Sequence, residues 1–187
     1  KYVDCYTIQE NFFGTLEFNI TVTDNHNLRS SAILILSVTP VNDPPILSNL
    51  PDHVLYEDSG LNNDLTNLSA YVVDVDSQPE SLSFSIAYQS SPAIVACSVD
   101  PLRFLDCETQ PDQNGFSVVV AQVSDGQYSD DDIFFVVVLP VNDPPVIIST
   151  PVTTGSAGSL YAYDVDATDV DGDPLTYNLT VFFWGIT

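Results

Sequence analysis

Oxygen-bearing side chains dominate the chemistry available to this sequence, and aspartate dominates among them: 21 Asp against five Glu in 187 residues. They recur in patterns. The hexapeptide "PVNDPP" stands at Pro40 to Pro45 and again, unchanged, at Pro140 to Pro145. About thirty residues after each comes an Asp-x-Asp, at Asp74 and Asp76 and at Asp169 and Asp171. Aspartate suits two tasks, closing tight turns and supplying hard oxygens to a bound cation. An acidic coat selected for solubility or high salt explains the charge but not the preference for Asp over Glu. Asp169-Val-Asp171-Gly-Asp173 is not an EF-hand loop, which needs Gly where Pro174 stands and Glu six residues on.

Other chemistry has little to work with. His26 falls in a polar turn and His53 in an entry segment, neither beside a nucleophile or a metal-ligand spacing, so both read as surface histidines. Many acids without two carboxylates opposed across a sugar site do not make a glycosidase. No catalytic residue is assigned and the chain is read as a non-enzyme. Asp130, Asp131 and Asp132 read as the solvated turn of a hairpin.

The positions of these acids depend on elements that are short and extended. Apolar or alternating runs at "YVVDV" (Tyr71), "LSFSIAY" (Leu82), "AIVACSV" (Ala93), "LRFL" (Leu102), "FSVVVAQV" (Phe116) and "IFFVVVLPV" (Ile133) are separated by Pro, Gly, Asn, Asp and Ser. No ten-residue stretch has a helical period. About seven short strands in roughly 100 residues is the expectation for an all-β, immunoglobulin-like sandwich, and the repeat one hundred residues apart marks such units in tandem. "GTLEFNITVTDNHNLRSSAILILSVTPVNDPP" aligns with "NGFSVVVAQVSDGQYSDDDIFFVVVLPVNDPP", placing Asp24 over Asp125 and making both pairs of strands hairpins. "YDVDATDVDGDPLTYNLTV" aligns with "LSAYVVDVDSQPESLSFSI". The expected division is therefore 1–43, the C-terminal half of one domain; 44–143, a complete domain; and 144–187, the N-terminal half of another. The chain reads as a stretch of a longer one, its end halves completed in the same chain or by an identical subunit.

A net charge of -23, from three Lys+Arg and 26 Asp+Glu, repels phosphate backbones and anionic lipid, which excludes nucleic acid as a partner. No apolar run reaches the eighteen or so residues of a membrane helix, so no direct membrane insertion is expected. Cys97 and Cys107 flank "SVDPLRFLD", a spacing at which neighbouring antiparallel strands can bridge; three free buried thiols are the alternative. Cys5 occupies the place of Cys107, with its partner expected upstream. A disulfide per repeat implies an oxidising compartment. Asn19, Asn67 and Asn178 open glycosylation sequons, with Asn19 outward from Phe18, Ile20 and Val22, and Tyr177, Leu179 and Val181 burying the face opposite Asn178.

The Asn-Asp-Pro-Pro linker, the later Asp-x-Asp and the strand ending in Asp before a final hairpin resemble the tandem cadherin-like repeats of extracellular surface proteins. "GSLYAYDVDATDVDGDPLTYNLT" is similar to the immunoglobulin-like modules found beside them. The resemblance implies calcium (Ca2+) between consecutive domains. At the first junction it assigns Asn42, Asp43, Asp74, Asp76 and Asp125, with Glu10 from the preceding domain. At the second it assigns Asn142, Asp143, Asp169 and Asp171, with Glu57 and Asp112 as weaker contributors. The sequence departs from the cadherin pattern where Pro40 and Pro140 replace an acid two residues before the Asn, and where the usual acidic pair is reduced to Glu10 or to "QPD" at Asp112. Fewer ligands imply fewer or weaker ions.

Carboxylates brought to one point from two domains repel until a cation lies between them, and the Pro-Pro pair adds stiffness. A plain turn, capped by Asn and Asp, is the other reading of "NDPP". The expected function is a calcium-stiffened string of sandwiches forming a stalk, surface fibre or filament, outside the cell. The alternative is an adhesion or glycan-recognition module that meets a cell-surface protein or glycan through an exposed aromatic cluster, for which Tyr128, Phe182, Phe183 and Trp184 are candidates.

Overall fold

A computed structural model describes residues 9–182. Among them there is no α-helix, and thirteen strands follow one another: β1 (Gly14–Thr23), β2 (Arg29–Val38), β3 (Ile46–Leu47), β4 (His53–Tyr56), β5 (Leu61–Asn67), β6 (Val72–Val73), β7 (Ser83–Gln89), β8 (Val95–Val99), β9 (Phe104–Thr109), β10 (Gly115–Ser124), β11 (Ser129–Leu139), β12 (Val146–Ile147) and β13 (Ala167–Thr168). The expected all-β sandwich is what forms.

Strands β4, β11, β10 and β7 make one sheet in that order, β5, β9 and β8 a second, and β3 pairs with β6. β4 runs parallel to β11 while the hairpin β10–β11 is antiparallel over ten residue pairs. Period-two alternation explains the layers: Val119, Ala121, Val123, Phe134, Val136 and Val138 are all at most 2% exposed and face Val95, Leu105 and Cys107 of the other sheet. Every residue of this core lies between Leu47 and Val138. Cys97 and Cys107 stand opposite each other on β8 and β9 and are joined as a disulfide. Cys5 lies outside the described residues.

The repeat is visible in the backbone. β1–β2 is a ten-pair antiparallel hairpin like β10–β11, and β12 pairs with β13 as β3 pairs with β6. Asp24 accepts the amides of His26 and Leu28 much as Asp125 accepts those of Gln127 and Tyr128.

Several expectations need correction. The acidic run is not the turn of the last hairpin, which lies at Asp125–Tyr128. Asp130 and Asp132 belong to β11, and their carboxylates accept the amides of Leu47 and Leu50 at 2.8 Å each. Reciprocally, Asp52 accepts the amide of Phe135 at 2.7 Å. Pro44, Pro45 and Pro51 lack donors, so this segment cannot run a full ladder along β11, and carboxylates take the place of carbonyls. His53 is not a surface histidine: it is half-buried, its Nε2 is 2.9 Å from the Thr66 hydroxyl, and its ring meets Phe134 edge-on at 6.0 Å. Residues 174–182 form no strand, and Tyr177, Leu179 and Val181 are exposed because no second sheet among the described residues covers them. On the other side Val22 is also exposed, while Phe18 and Ile20 are half-buried. Strands β3, β4 and β5 were not legible in the apolar pattern; β5, "LNNDLTN", is mostly polar and its register shifts between Asn62 and Thr66.

Candidate metal centre

Both proline-framed linkers enter the next segment in the same way. The Asp43 amide donates to Asp76 Oδ2 at 2.6 Å, and the Asp143 amide to Asp171 Oδ2 at 2.7 Å. Each Asp-x-Asp is closed by its own first member: Asp74 Oδ1 accepts the Asp76 amide at 2.8 Å, and Asp169 Oδ1 the Asp171 amide at 3.0 Å. Asn42 and Asn142 both turn their Nδ2 to the carbonyl of the following Asp, at 3.3 and 3.1 Å. Each aspartate thus spends one oxygen on fixing the turn and keeps the other for a further partner.

At the second junction the linker aspartate itself meets other carboxylates. One oxygen each of Asp58, Asp112 and Asp143 lies within 4.8 Å of the others. Asp58 and Asp112 adopt left-handed backbone, φ 62° and 55°, a region Asp tolerates better than most residues, and Asp58 Oδ1 accepts the Asp112 amide at 3.1 Å. Behind them Glu57, only 2% exposed, accepts the Val141 amide at 2.8 Å and Asn114 Nδ2 at 3.1 Å, fastening the linker to the end of the sandwich. Asp143 Oδ2 is buried without a hydrogen-bond partner. Desolvation, together with the charges of Asp58, Asp112, Asp171 and Glu57, holds the Asp143 carboxyl above the ordinary carboxylate range. Arg29 stands opposite Thr23 beside the turn of β1–β2, and Arg103 donates to the Glu80 carbonyl, so neither neutralises this cluster.

The first junction has a different arrangement. Asn42 Nδ2 donates to Asp125 Oδ2 at 2.6 Å, a contact bridging 83 residues. The amide of Tyr128, the side chain of Asn42 and the amide of Gln127 hold the Asp125 carboxyl below its ordinary range. Asp74 Oδ2 is buried without a partner, as Asp143 Oδ2 is. A cavity of about 230 Å³ is lined by Asn11, Phe12, Phe13, Asp43 and Asp76 among others. Glu10 is exposed and is not among its lining residues. Asn11, at φ 59°, occupies the left-handed turn before the hairpin that Asp112 occupies in the next repeat.

Of the residues expected to hold metal, the structure brings Asp112 and Asp143 together, sets Glu57 and Asp171 beside them, and links Asp43, Asp74 and Asp76 in a chain. Asp58 was missed: it sits next to Glu57 in "YEDSG", but its meeting with Asp112 depends on a turn 54 residues away. The donors fit a hard divalent cation. They are oxygens only, they carry uncompensated negative charge, and a spread of 4.8 Å is within the roughly 5 Å that two ligands at about 2.5 Å from one ion can span.

Comparison with known proteins agrees on the fold. The sequence matches no family model and no curated protein. Solved structures do match: protocadherin gamma B7, extracellular cadherin domains 1–4, superposes with TM-score 0.52 at 19% identity over 74% of this chain and 36% of its own. Human protocadherin-24, EC1–2, gives TM-score 0.52 at 13% identity over 73% of this chain and 70% of its own. An endo-fucoidan hydrolase of glycoside hydrolase family 107 overlaps 74% of the chain at TM-score 0.40 and 16% identity, too loose a likeness to bear on fold or activity. The chain spans about a fifth to a third of the first of these structures, the hydrolase and protocadherin gamma B7. The fold is cadherin-like.

Proposed function

We propose that this chain is part of a calcium-stiffened string of β-sandwich repeats that works as a non-enzymatic extracellular stalk, fibre or filament. The observation that carries the reading is Asp143: its Oδ2 is shielded from solvent without a hydrogen-bond partner, and the carboxylates of Glu57, Asp58, Asp112 and Asp171 surround it. Such a group is unfavourable alone and favourable around a cation. Calcium, when bound, supplies the positive charge that the chain lacks there. Asp58, Asp112, Asp143, Asp171 and Glu57 would hold it at the second junction, and Asp43, Asp74, Asp76, Asn42 and Asp125 at the first. Asn142 and Asp169 shape the second linker.

The chain's own residues do the mechanical part. Pro40, Pro44 and Pro45, and likewise Pro140, Pro144 and Pro145, keep each linker extended, and Glu57 fixes the second linker through the Val141 amide. Domain bounds at 1–43, 44–143 and 144–187 follow from this reading, since each bound falls after the linker aspartate. The Cys97–Cys107 bridge favours an oxidising compartment. Asn19, Asn67 and Asn178 are exposed, as glycosylation would require, although Asn67 Oδ1 accepts the Ser69 amide within its own sequon. No helix among the described residues is long and apolar enough to cross a membrane.

Small-angle X-ray scattering tests the stiffening. In calcium the chain is expected to show a longer, narrower distribution of interatomic distances than in chelator. An unchanged distribution, with calcium shown to bind, would refute the stalk while leaving the metal site.

A further inference from the structure

We propose that the outer face of the four-stranded sheet is a docking surface for a protein partner with an apolar centre and a basic rim. This inference stands apart from the metal.

The registers place side chains on this face row by row. Val54 of β4, Val137 of β11 and Phe116 of β10 lie side by side in one row. Phe135 and Val118 form the next, and Ile133, Val120 and Tyr88 a third. Within these rows the one polar side-chain atom is the Tyr88 hydroxyl, and polar groups stand at the edges of the middle row, where Asp52 accepts the Phe135 amide and the Ser90 hydroxyl accepts the Val118 amide. Phe116 is 60% exposed, Ile133 58% and Tyr88 57%. With strands about 4.8 Å apart and about 3.3 Å per residue, the face covers on the order of 300–400 Å². That is the size of the largest apolar patch on an ordinary monomer and of an interface centre rather than a whole interface, which takes about 800 Å² per partner. A polar rim on the partner must supply the rest.

The repeat provides an internal control. The matching face of β1–β2 carries Glu17, Asn19, Thr21, Ser31 and Ser37 beside Ile33 and Ile35, with a sequon in its middle. The outer face of the opposite sheet carries Asp106 paired with Ser98 and Glu108 paired with Ala96. A face with an apolar centre, its charge kept to edge residues such as Asp52, on one stretch of an otherwise acidic chain is therefore not a by-product of the fold.

Charge selects the occupant. The row beyond Ile133 holds Asp131, hydrogen-bonded to Gln122 at 2.9 Å, and the far end of the sheet runs to the cluster of Asp58, Asp112 and Asp143. Both ends of the apolar face are acidic. A second copy would bring another -23 to this surface, whereas Lys and Arg around an apolar centre would meet it favourably.

The test uses two fluorescent peptides of equal charge, an alternating Leu-Lys peptide that presents apolar and basic faces as a strand, and a lysine homopolymer. Anisotropy titrations of the full chain are expected to show the alternating peptide binding at least about tenfold more tightly. Phe116→Ser with Phe135→Ser should abolish that preference and leave lysine-homopolymer binding unchanged. If this pair lowers the melting midpoint, Tyr88→Ser with Ile133→Ser on the same face takes its place. Equal binding of the two peptides to the parent chain, or a preference that survives both pairs of substitutions, would overturn the proposal. Sedimentation velocity showing self-association that these substitutions remove would overturn it too, by assigning the face to a second copy.

Discussion

Asp143 is a residue whose contribution to stability should change sign with conditions. In chelator its carboxylate faces those of Asp58, Asp112, Asp171 and Glu57, and Asp143→Asn relieves that repulsion. In millimolar calcium the same substitution removes a ligand. Thermal melts should therefore show Asp143→Asn equal to or above the parent chain in chelator and below it in calcium; a deficit of equal size in both media would mean that Asp143 only shapes the turn. His53 gives a second prediction at this scale. Burial holds its pKa below the ordinary value despite the opposing charge of Asp52, so the folded chain binds its proton less readily than the unfolded chain. Its contribution is complete above about pH 6.5 and is lost as pH falls through the unfolded and then the folded value. The melting midpoint should decline more between pH 7 and 5 in the parent than in His53→Gln, about neutral to either side of the ordinary histidine range. Parallel declines would contradict the burial argument.

Strands show which features were legible. The hairpin β10–β11 could be read because every second residue is apolar and the layer it faces needs that alternation. β5 could not, because "LNNDLTN" offers only Leu65 and Thr66 to the interior and is held by pairing with β9, a long-range fact. Asp130 and Asp132 were misread for a related reason: a run of charge usually marks a solvated tip, and nothing local announces that two of three carboxylates accept amides 82 and 83 residues away. Asp132→Ala or Asp130→Ala should each cost about 1–3 kcal/mol by leaving an amide unmatched, while Asp131→Ala, on the outer face, should stay within about 0.5 kcal/mol. Urea denaturation decides between them, and three equal losses would contradict the tethering. The disulfide between β8 and β9 closes a separation of 10 residues, and its replacement by Cys97→Ser and Cys107→Ser should cost about 2–3 kcal/mol in the same assay.

At the scale of the whole molecule, the spacing of "PVNDPP" foretold a repeat, and the matched geometries at Asp43 and Asp143 explain it: the same amide-to-carboxylate contact starts each new segment. The carboxylate cluster was legible only in part, because residues 58, 112 and 143 converge through the fold and not through sequence proximity. The exposed face was not legible, since Val, Phe and Ile on alternate positions of β11 look equally suited to two buried faces. Tyr128 and Phe182 are indeed exposed but lie elsewhere, and Phe183 and Trp184 are outside the described residues. The central claim is that the junction carboxylates hold calcium. It is tested most directly by a thermal melt of the full chain in millimolar calcium, in magnesium and in chelator. Binding confined to the folded state should raise stability by about 2.7 kcal/mol at a hundred times the dissociation constant. A rise specific to calcium is the expected result; identical midpoints in all three media would contradict it and leave the aspartates as turn residues in an acidic coat.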